Sequence, residues 1–340
     1  MPDRAAQIDT FLTAAGWSNA ARTLVAGDAS NRRYERLTDD TGATAILMDA
    51  PPDKGEDVRP FVTITTYLRA AHLSAPAIYA QDAANGFLLI EDLGDALYAR
   101  VMARDPDQQT PLYEAAIDVL VHLHAQPAPD LPTYDATVMT DRARLAYDWY
   151  RLGVMGADDT TRAQAFADTF HALLSELETD NSVLIQRDYH AENLLWLPDR
   201  TGPARVGLLD YQDAMLGHPA YDLISLTQDA RRDVAPPMQA AMIHRYAIAT
   251  SSDPDALSNA CALLGAQRNL RILGVFARLS MAYGKPHYVD LIPRVWGHIT
   301  YNLSHPALAP IADQIRADLP APTPPILQHL KDLCATHPTP

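Results

Sequence analysis

The fold of this chain is decided by two neighbouring stretches, Val183-Leu-Ile-Gln-Arg-Asp-Tyr-His-Ala-Glu-Asn-Leu-Leu-Trp-Leu197 and Arg205-Val-Gly-Leu-Leu-Asp-Tyr-Gln-Asp213. Both contain a short apolar run, and the two runs flank a polar turn segment at 198–203. This pattern is typical of a β-hairpin. The sequence therefore predicts that three polar side chains converge at one end of the hairpin, those of Asp188, Asn193 and Asp210.

These three side chains are the ones that phosphoryl transfer requires. Asp188 would orient a hydroxyl group, and Asn193 and Asp210 would supply two hard oxygen ligands for Mg²⁺. A lone Asp-x-x-x-x-Asn pattern would be weak, because Asp and Asn are common in turns. The hairpin and the Leu209-Asp210 pair provide the context that favours a kinase.

The same residues carry a family resemblance. Arg187-Asp-Tyr-His-Ala-Glu-Asn193 and Asp210-Tyr-Gln-Asp-Ala-Met-Leu-Gly-His-Pro-Ala-Tyr-Asp-Leu223 resemble the catalytic and metal-binding loops of the aminoglycoside phosphotransferase and choline kinase group. The resemblance implies an α+β, two-lobed protein-kinase-like fold, with a small antiparallel-sheet N-lobe and a mainly helical C-lobe. It also implies ATP and Mg²⁺ as cofactors. We expect Asp222 to accept backbone N–H bonds from the catalytic loop.

Composition excludes several other classes of protein. The net charge of −15 over 340 residues disfavours binding to nucleic acid or to an anionic membrane surface. No apolar run approaches the length of a transmembrane span. Two cysteines without metal-ligand spacing indicate a reducing, cytoplasmic location. We expect a monomer that acts on a small molecule.

A change in pattern along the chain marks the lobes. Strand patterns dominate up to about residue 95 and helical patterns follow, so the sequence predicts an N-lobe at 1–95 and a C-lobe at 96–340. The apolar strand that ends in Glu91, Asp92 and Leu93 is the predicted hinge. We expect the nucleotide base to lie against the backbone of these three residues, although they would also suit a solvated turn.

The predicted phosphate loop departs from the usual kinase pattern. Small and polar residues between two strands can place backbone N–H groups over phosphates, and Ser30 and Asn31 form the tip of this loop. Many kinases carry a phosphate-binding Lys on the third strand, where this chain has Met48. Arg32 or Arg33 would then supply the cation, because adjacent strand residues face opposite ways. An ordinary hairpin turn with two surface arginines is the alternative.

Further motifs narrow the resemblance to the bacterial anomeric N-acetylmuramate/N-acetylglucosamine kinases. They are Asp28-Ala-Ser-Asn-Arg-Arg-Tyr-Glu-Arg36, Leu47-Met-Asp-Ala-Pro-Pro52, Gly86-Phe-Leu-Leu-Ile-Glu-Asp-Leu-Gly-Asp95, and Gln267-Arg-Asn-Leu-Arg-Ile-Leu-Gly-Val-Phe-Ala-Arg-Leu279 with Tyr283-Gly-Lys-Pro286. This implies ATP-dependent phosphorylation of the C1 hydroxyl of an N-acetylated amino sugar, in peptidoglycan recycling. That family carries the same Met-Asp-Ala-Pro-Pro motif, so the missing Lys is expected of an active member.

The predicted substrate residues follow from the lactyl carboxylate of muramate. Arg268, Arg271, Arg278 and Lys285 form a basic run on and after one helix of an acidic protein. Three of them can share a helix face, which would suit a carboxylate, although a solvated face near the helix C-terminus is the simpler interpretation. Asp213 would bind sugar hydroxyls or a second Mg²⁺, or would only cap a helix.

Two other functions remain open at this point. An aminoglycoside or a choline-like cation would suit an acidic cleft, but the basic run argues against it. A nucleotide-binding pseudokinase would explain the missing Lys.

Overall fold

The computed structural model describes residues 3–27, 31–177 and 182–339. The chain forms two compact units. The first contains the residues up to 123 together with 192–214, and the second contains 124–191 together with the residues from 215 onward. The first unit thus holds the whole predicted N-lobe and some of the chain after residue 95. The predicted lobe boundary itself stays a prediction.

The β-strands are short and antiparallel. In chain order they are β1 (Ala21–Gly27), β2 (Arg33–Thr38), β3 (Thr44–Asp49), β4 (Ile78–Asp82), β5 (Phe87–Glu91), β6 (Val183–Ile185), β7 (Leu194–Trp196), β8 (Val206–Leu208) and β9 (Met215–Gly217).

Helices make up most of the remaining described chain. In chain order the α-helices are α1 (Arg4–Ala14), α2 (Arg59–Ala70), α3 (Tyr98–Arg104), α4 (Gln109–His124), α5 (Ala136–Leu145), α6 (Leu152–Met155), α7 (Thr160–Ser175), α8 (Ala220–Thr227), α9 (Pro236–Thr250), α10 (Pro254–Met281), α11 (Ile292–Asn302), α12 (Ala309–Asp318) and α13 (Pro324–Asp332).

The first unit is built on a five-stranded sheet with the order β1-β2-β3-β5-β4. Helix α1 packs against one face of this sheet, where Phe11 stacks on Phe87 among buried leucines and alanines of β2, β3 and β5. Tyr34 on β2 lies directly across from Met48 on β3. Directly opposed residues of an antiparallel pair share a face, so Met48 and Tyr34 point to the same side of the sheet.

The predicted hairpin is confirmed. β7 pairs with β8 in the register Leu194–Leu208, Leu195–Gly207 and Trp196–Val206. Isolated bridges join the hairpin to the rest of the first unit, from Leu195 to Leu97 and from Gly207 to Ser74.

Helix α2 is tied to the residue that follows Asp210. Tyr211 stacks on Phe61 at a ring distance of 5.1 Å, and its hydroxyl shares a 2.7 Å hydrogen bond with Thr65. A buried aromatic with its hydroxyl paired anchors two segments at once. The segment that follows β8 is therefore fixed to α2 within the first unit.

The second unit is arranged around α10, a 28-residue helix whose surface is mostly buried. Gly274 lets α10 approach α5 closely, because a Cβ there would stand 2.2 Å from the Leu145 carbonyl oxygen. The chain is a π-helix from Ala146 to Arg151, between α5 and α6. The strands β6 and β9 pair beside the catalytic loop.

No helix in the described ranges is both long enough and apolar enough to cross a membrane.

Candidate active site

The catalytic loop of the second unit is held by one buried carboxylate. Asp222, on α8, accepts the backbone N–H groups of Gln186 at 2.6 Å and Arg187 at 2.9 Å. Burial raises the pKa of the Asp222 carboxyl to about 7, against the opposite effect of these two donors. Arg187 has a φ of 72°, which a non-glycine residue rarely adopts and which the two bonds help to fix. The predicted structural role of Asp222 is confirmed.

Asp188 follows at once and lies in a positively charged environment. Burial would raise the pKa of its carboxyl, but the charges of Arg271 and Arg268 outweigh this effect and the pKa lies below its ordinary value. Asp188 is therefore a carboxylate at neutral pH. An ionised carboxylate beside arginines can accept a hydrogen bond from a hydroxyl group and take up its proton.

Asn193 and Asp210 meet at the end of the β7–β8 hairpin, in the first unit. The Asn193 carboxamide nitrogen lies 3.4 Å from Asp210 Oδ2, and the Leu209 N–H donates to the Asn193 carbonyl at 3.0 Å. Asp210 has a φ of 57°, so its backbone turns sharply as it leaves β8. Its other carboxylate oxygen accepts a 2.8 Å bond from Gln212.

This pair fits Mg²⁺. Mg²⁺ is usually bound through one or two protein oxygen ligands, and its coordination is completed by substrate phosphates and water. Over the ranges that the structure describes, no group of three or more His, Cys, Asp or Glu side chains is arranged to hold a metal ion. A carboxylate and a carboxamide at the end of one hairpin therefore suit a metal that arrives with a nucleotide.

The predicted phosphate loop is described from Asn31 onward, and Ser30 lies outside the described residues. Arg32 forms an ion pair with Glu56 at 2.7 Å, and both side chains are largely buried. Arg33 pairs with Glu35 at 2.8 Å, and its side chain is 61% exposed. The two arginines are thus held by different carboxylates, as expected of neighbours on a strand.

The hinge carboxylates are engaged by arginines. Glu91 pairs with Arg200 at 2.5 Å and accepts the Ala77 N–H at 3.0 Å. Asp92 receives two bonds from Arg36, at 2.6 and 3.0 Å. Burial would raise the pKa of the Asp92 carboxyl, but the Arg36 bonds outweigh it and the pKa is lowered. A nucleotide base would therefore meet backbone groups here, including those of the buried Leu93.

The basic run on α10 divides into two groups. Arg268 is buried at 2% exposure and its Nη1 lies 3.4 Å from the Gln228 carbonyl, while Arg271 lies 3.4 Å from the Tyr221 hydroxyl. Both influence the pKa of Asp188. Arg278 lies two turns further along the helix, about 10 Å from Arg271 along its axis. Lys285 lies beyond the end of α10.

Asp213 is exposed on the turn after β8, in the first unit. Its role stays a prediction.

Two buried groups near Asp188 have no signature in the sequence. Asp229 is 1% exposed and accepts the Arg231 N–H at 2.8 Å, and His190 is 5% exposed with Arg231 donating to its Nε2 at 3.4 Å. Within the described chain, Asp229 Oδ2 and His190 Nδ1 have no hydrogen-bond partner. Burial lowers the pKa of His190 to about 4. Both belong to the polar surroundings of Asp188, yet no spacing pattern marks Asp229.

A groove of about 840 Å³ lies elsewhere on the first unit, between α1 and the turn after β4. It is lined by residues such as Phe11, Ala14 and Asn85, and by none of the predicted site residues.

Comparison with known proteins agrees with this arrangement. The chain matches the phosphotransferase enzyme family over residues 22–258. It is 39% identical to the N-acetylmuramate/N-acetylglucosamine kinase of Caulobacter vibrioides over 345 aligned residues, covering 90% of this chain and 94% of that protein.

Solved structures show the fold. A choline/ethanolamine kinase family protein from Mesorhizobium loti superposes with a TM-score of 0.60 at 14% identity, covering 93% of this chain and all of that one. An ADP-bound aminoglycoside phosphotransferase superposes with a TM-score of 0.57 at 12% identity, covering 88% and 96%. The predicted protein-kinase-like fold is confirmed, and the chain belongs to the phosphotransferase enzyme family.

Proposed function

We propose that this protein is an ATP-dependent kinase that phosphorylates the anomeric C1 hydroxyl of N-acetylmuramate and N-acetylglucosamine. The observation that carries the proposal is the contact of Asn193 with Asp210 at the end of the hairpin, in the loop that continues from Asp188. The likeness to the Caulobacter vibrioides enzyme supplies the substrate class.

The chemistry assigned to the chain is in-line transfer without a covalent enzyme intermediate. Asp188 accepts a hydrogen bond from the anomeric hydroxyl and takes its proton as the bond to the γ-phosphorus forms. Its lowered pKa keeps the carboxylate ionised and ready to accept that proton. Mg²⁺, held by Asn193 and Asp210, would neutralise charge on the phosphates.

The substrate assignment rests on the arginines of α10. Arg268 and Arg271 place two positive charges near Asp188, and Arg268 is buried. A buried guanidinium is stabilised by an anion that arrives with the ligand. The lactyl carboxylate of muramate is such an anion, and Arg278 and Lys285 would extend the positive region along the same side. An aminoglycoside, which is a polycation, would be repelled.

The same chemistry indicates the pathway and the compartment in which the enzyme acts. We assign it to peptidoglycan recycling in the cytoplasm, as a monomer without nucleic-acid or membrane partners. Both cysteines, Cys261 and Cys334, are unbridged, which suits a reducing compartment.

The test is a coupled ADP-release assay with Mg·ATP against N-acetylmuramate, N-acetylglucosamine and kanamycin, with ³¹P NMR of any product. The expected result is turnover of both amino sugars with an α-1-phosphate signal. Turnover of kanamycin alone would move the protein to the antibiotic kinases. Tight ATP binding without transfer to any acceptor would favour a pseudokinase.

Asp188→Asn tests the assigned base. We expect kcat to fall by roughly 10²- to 10⁴-fold because proton transfer is lost, while the Kd for ADP stays within about twofold. Asp213→Asn is an informative companion, since Asp213 is exposed and its role is open. Unchanged turnover in Asp188→Asn would overturn the assignment.

A further inference from the structure

The first unit lacks a lysine at the strand position where kinases usually hold their nucleotide phosphates. Met48 occupies that position on β3, with 1% of its surface exposed. Kinases need a cation here, and a carboxylate on the neighbouring helix holds that cation in place. The face of the sheet that carries Met48 also carries Tyr34, its partner across β2 and β3.

Arg32 lies on this same face. It is two residues before Tyr34 in an extended segment, and alternation along a strand puts positions 32 and 34 on one side. A side-chain hydrogen bond with Tyr34 contributes to the raised pKa of Arg32, which burial alone would lower. Arg32 is therefore placed beside Tyr34 and Met48.

A carboxylate holds Arg32 at its Nε. Glu56 Oε2 accepts that nitrogen at 2.7 Å, and Glu56 Oε1 accepts the Asn31 N–H at 3.1 Å. The Asn31 side chain donates to the Lys54 carbonyl at 3.2 Å. The Arg32 and Glu56 side chains are only 14% and 12% exposed. One carboxylate thus fixes both the backbone and the cation at the start of β2.

Glu56 comes from the chain that leads into α2, which begins at Arg59. Helix α2 also contacts Tyr211, the residue after Asp210. Glu56 therefore lies three residues before the helix that contacts the residue after Asp210. In kinases the helix that supplies the Lys partner has the same double connection.

We propose that Arg32 is the cation that binds the α- and β-phosphates of the nucleotide, and that Glu56 is the positioning residue that holds it. The pair takes the part of the usual Lys–Glu pair, with the cation moved from β3 to the start of β2. The inference deepens the proposed function, because it rests on the protein binding a nucleoside triphosphate. An arginine fork suits this task, since it can contact two phosphate oxygens at once.

Arg33 is the competing residue, and its surroundings argue against it. Its side chain is 61% exposed and bonds Glu35, which also pairs with Arg22 at 2.6 Å. Glu35 and Arg33 lie on the face opposite Tyr34, so Arg33 points away from Met48.

The experiment is isothermal titration calorimetry of ADP and adenosine in the presence of Mg²⁺ and without sugar. We expect Arg32→Ala to weaken ADP binding by roughly 10- to 100-fold, because a charge-assisted contact with phosphate is lost. Adenosine, which has no phosphate, should bind as it does to the wild type, and this also reports that the variant is folded. Arg32→Lys should recover part of the affinity.

Glu56→Gln tests the positioning role. It keeps Arg32 but removes the charge that orients it, so we expect an intermediate loss of ADP affinity and an unchanged adenosine Kd. Arg59→Ala is the matched control for Arg32→Ala, because it removes a positive charge at a side chain that is 78% exposed at the start of α2.

Two results would overturn the inference. One is ADP affinity in Arg32→Ala equal to that of the wild type, and the other is a larger loss in Arg33→Ala than in Arg32→Ala. Absence of ADP binding in the wild type would instead reject the proposed kinase function, so the two failures are distinguishable.

Discussion

The arginines of β2 and those of α10 differ in the groups that they contact. On and beside β2, Arg32, Arg33 and Arg36 each pair with a carboxylate at 2.6 to 2.8 Å. On α10, Arg268 lies 3.4 Å from the Gln228 carbonyl and Arg271 lies 3.4 Å from the Tyr221 hydroxyl, both uncharged groups. Yet Arg268 is the most buried of the five, at 2% exposure.

This difference in partners indicates that the two groups of arginines have different roles. A cation that is paired with a carboxylate is held in a fixed position in the absence of ligand, whether it orients a strand, as for Arg33 and Arg36, or is positioned for phosphates, as proposed for Arg32. A buried guanidinium without such a partner has lost hydration that its neighbours only partly replace. The Arg268 Nε has no hydrogen-bond partner in the part of the chain described. We therefore expect this positive charge of the second unit to serve an anion that binds beside Asp188.

The comparison is tested most severely by placing the same substitution in both regions. Arg268→Met should lower kcat/KM for N-acetylmuramate by roughly 100-fold, because the loss of a charged contact in a closed site costs about 3 kcal/mol. Its free energy of unfolding should change by less than about 1 kcal/mol, since a buried and incompletely paired charge is removed. Steady-state kinetics and urea denaturation measure the two quantities.

Arg36→Met is the matched control and should behave in the opposite way. It leaves the buried Asp92 without the arginine that donates two hydrogen bonds to it. We expect the free energy of unfolding to fall by about 2 kcal/mol. A variant of Arg268 that loses as much stability as the Arg36 variant would contradict the division of tasks.

The second prediction uses pH, because the second unit also buries histidines. Burial lowers the pKa of His124 to about 3 and those of His190 and His218 to about 4. Below about pH 6.5 the unfolded chain binds protons that these folded-state side chains do not. Their stabilising contribution is therefore complete above pH 6.5 and is lost as the pH falls towards 4.

Asp222 acts with the opposite sign. Its pKa is raised to about 7, so the folded chain binds a proton first as the pH falls, and this offsets part of the loss. Burial also lowers the pKa of His298 and raises that of Asp148, so four histidines against two carboxyls leave a net loss of stability, on the order of 3 kcal/mol between pH 7 and 4.5. Hydrogen exchange followed by mass spectrometry, corrected for the intrinsic pH dependence, should show protection lost first in α8 and α10.

The first unit serves as the internal control for the acid effect. Its two histidines, His72 and His122, are not buried. His218→Gln should reduce the loss of protection. At low pH a proton competes with the Ala220 N–H for the His218 Nδ1 atom, whereas a glutamine side chain does not titrate. Earlier loss of protection in β2, β3 and β5 than in α10 would contradict the prediction.

Local pattern was sufficient to predict most elements of the fold and part of the site. The hairpin could be predicted because two apolar runs flank a turn, and the helix that carries Arg268, Arg271 and Arg278 was predicted as well. The role of Asp222 could be inferred because its position relative to the loop is set by a short motif. Each of these features depends on residues that are close in sequence.

The partners of charged groups could not be inferred in this way. Glu56 lies 24 residues after Arg32, and the turn and helix start between them give no rule for which carboxylate meets which arginine. The place of the 192–214 segment in the first unit could not be inferred either, since isolated bridges join the segment to Leu97 and Ser74, which are distant in sequence. The π-helix at 146–151 has the sequence of an ordinary amphipathic helix.

The smallest expected effect concerns the shared carboxylate of the first unit. Glu35 is 5% exposed and accepts from Arg22 at 2.6 Å and from Arg33 at 2.8 Å. Removing one arginine leaves the other, so Arg33→Ala should lower the free energy of unfolding by less than about 0.5 kcal/mol and Arg22→Ala by about 1 kcal/mol. Urea denaturation of each variant provides the values.

The variant in which both arginines are replaced is the strictest test of this prediction. With both Arg22 and Arg33 replaced, Glu35 would be a buried carboxylate whose two arginine partners are gone, and such a group costs far more than either single loss. We therefore expect the double variant to lose at least about 1 kcal/mol more than the sum of the single variants. Additive losses would mean that Glu35 is hydrated or protonated, and that β2 does not depend on paired charge as the comparison with α10 requires.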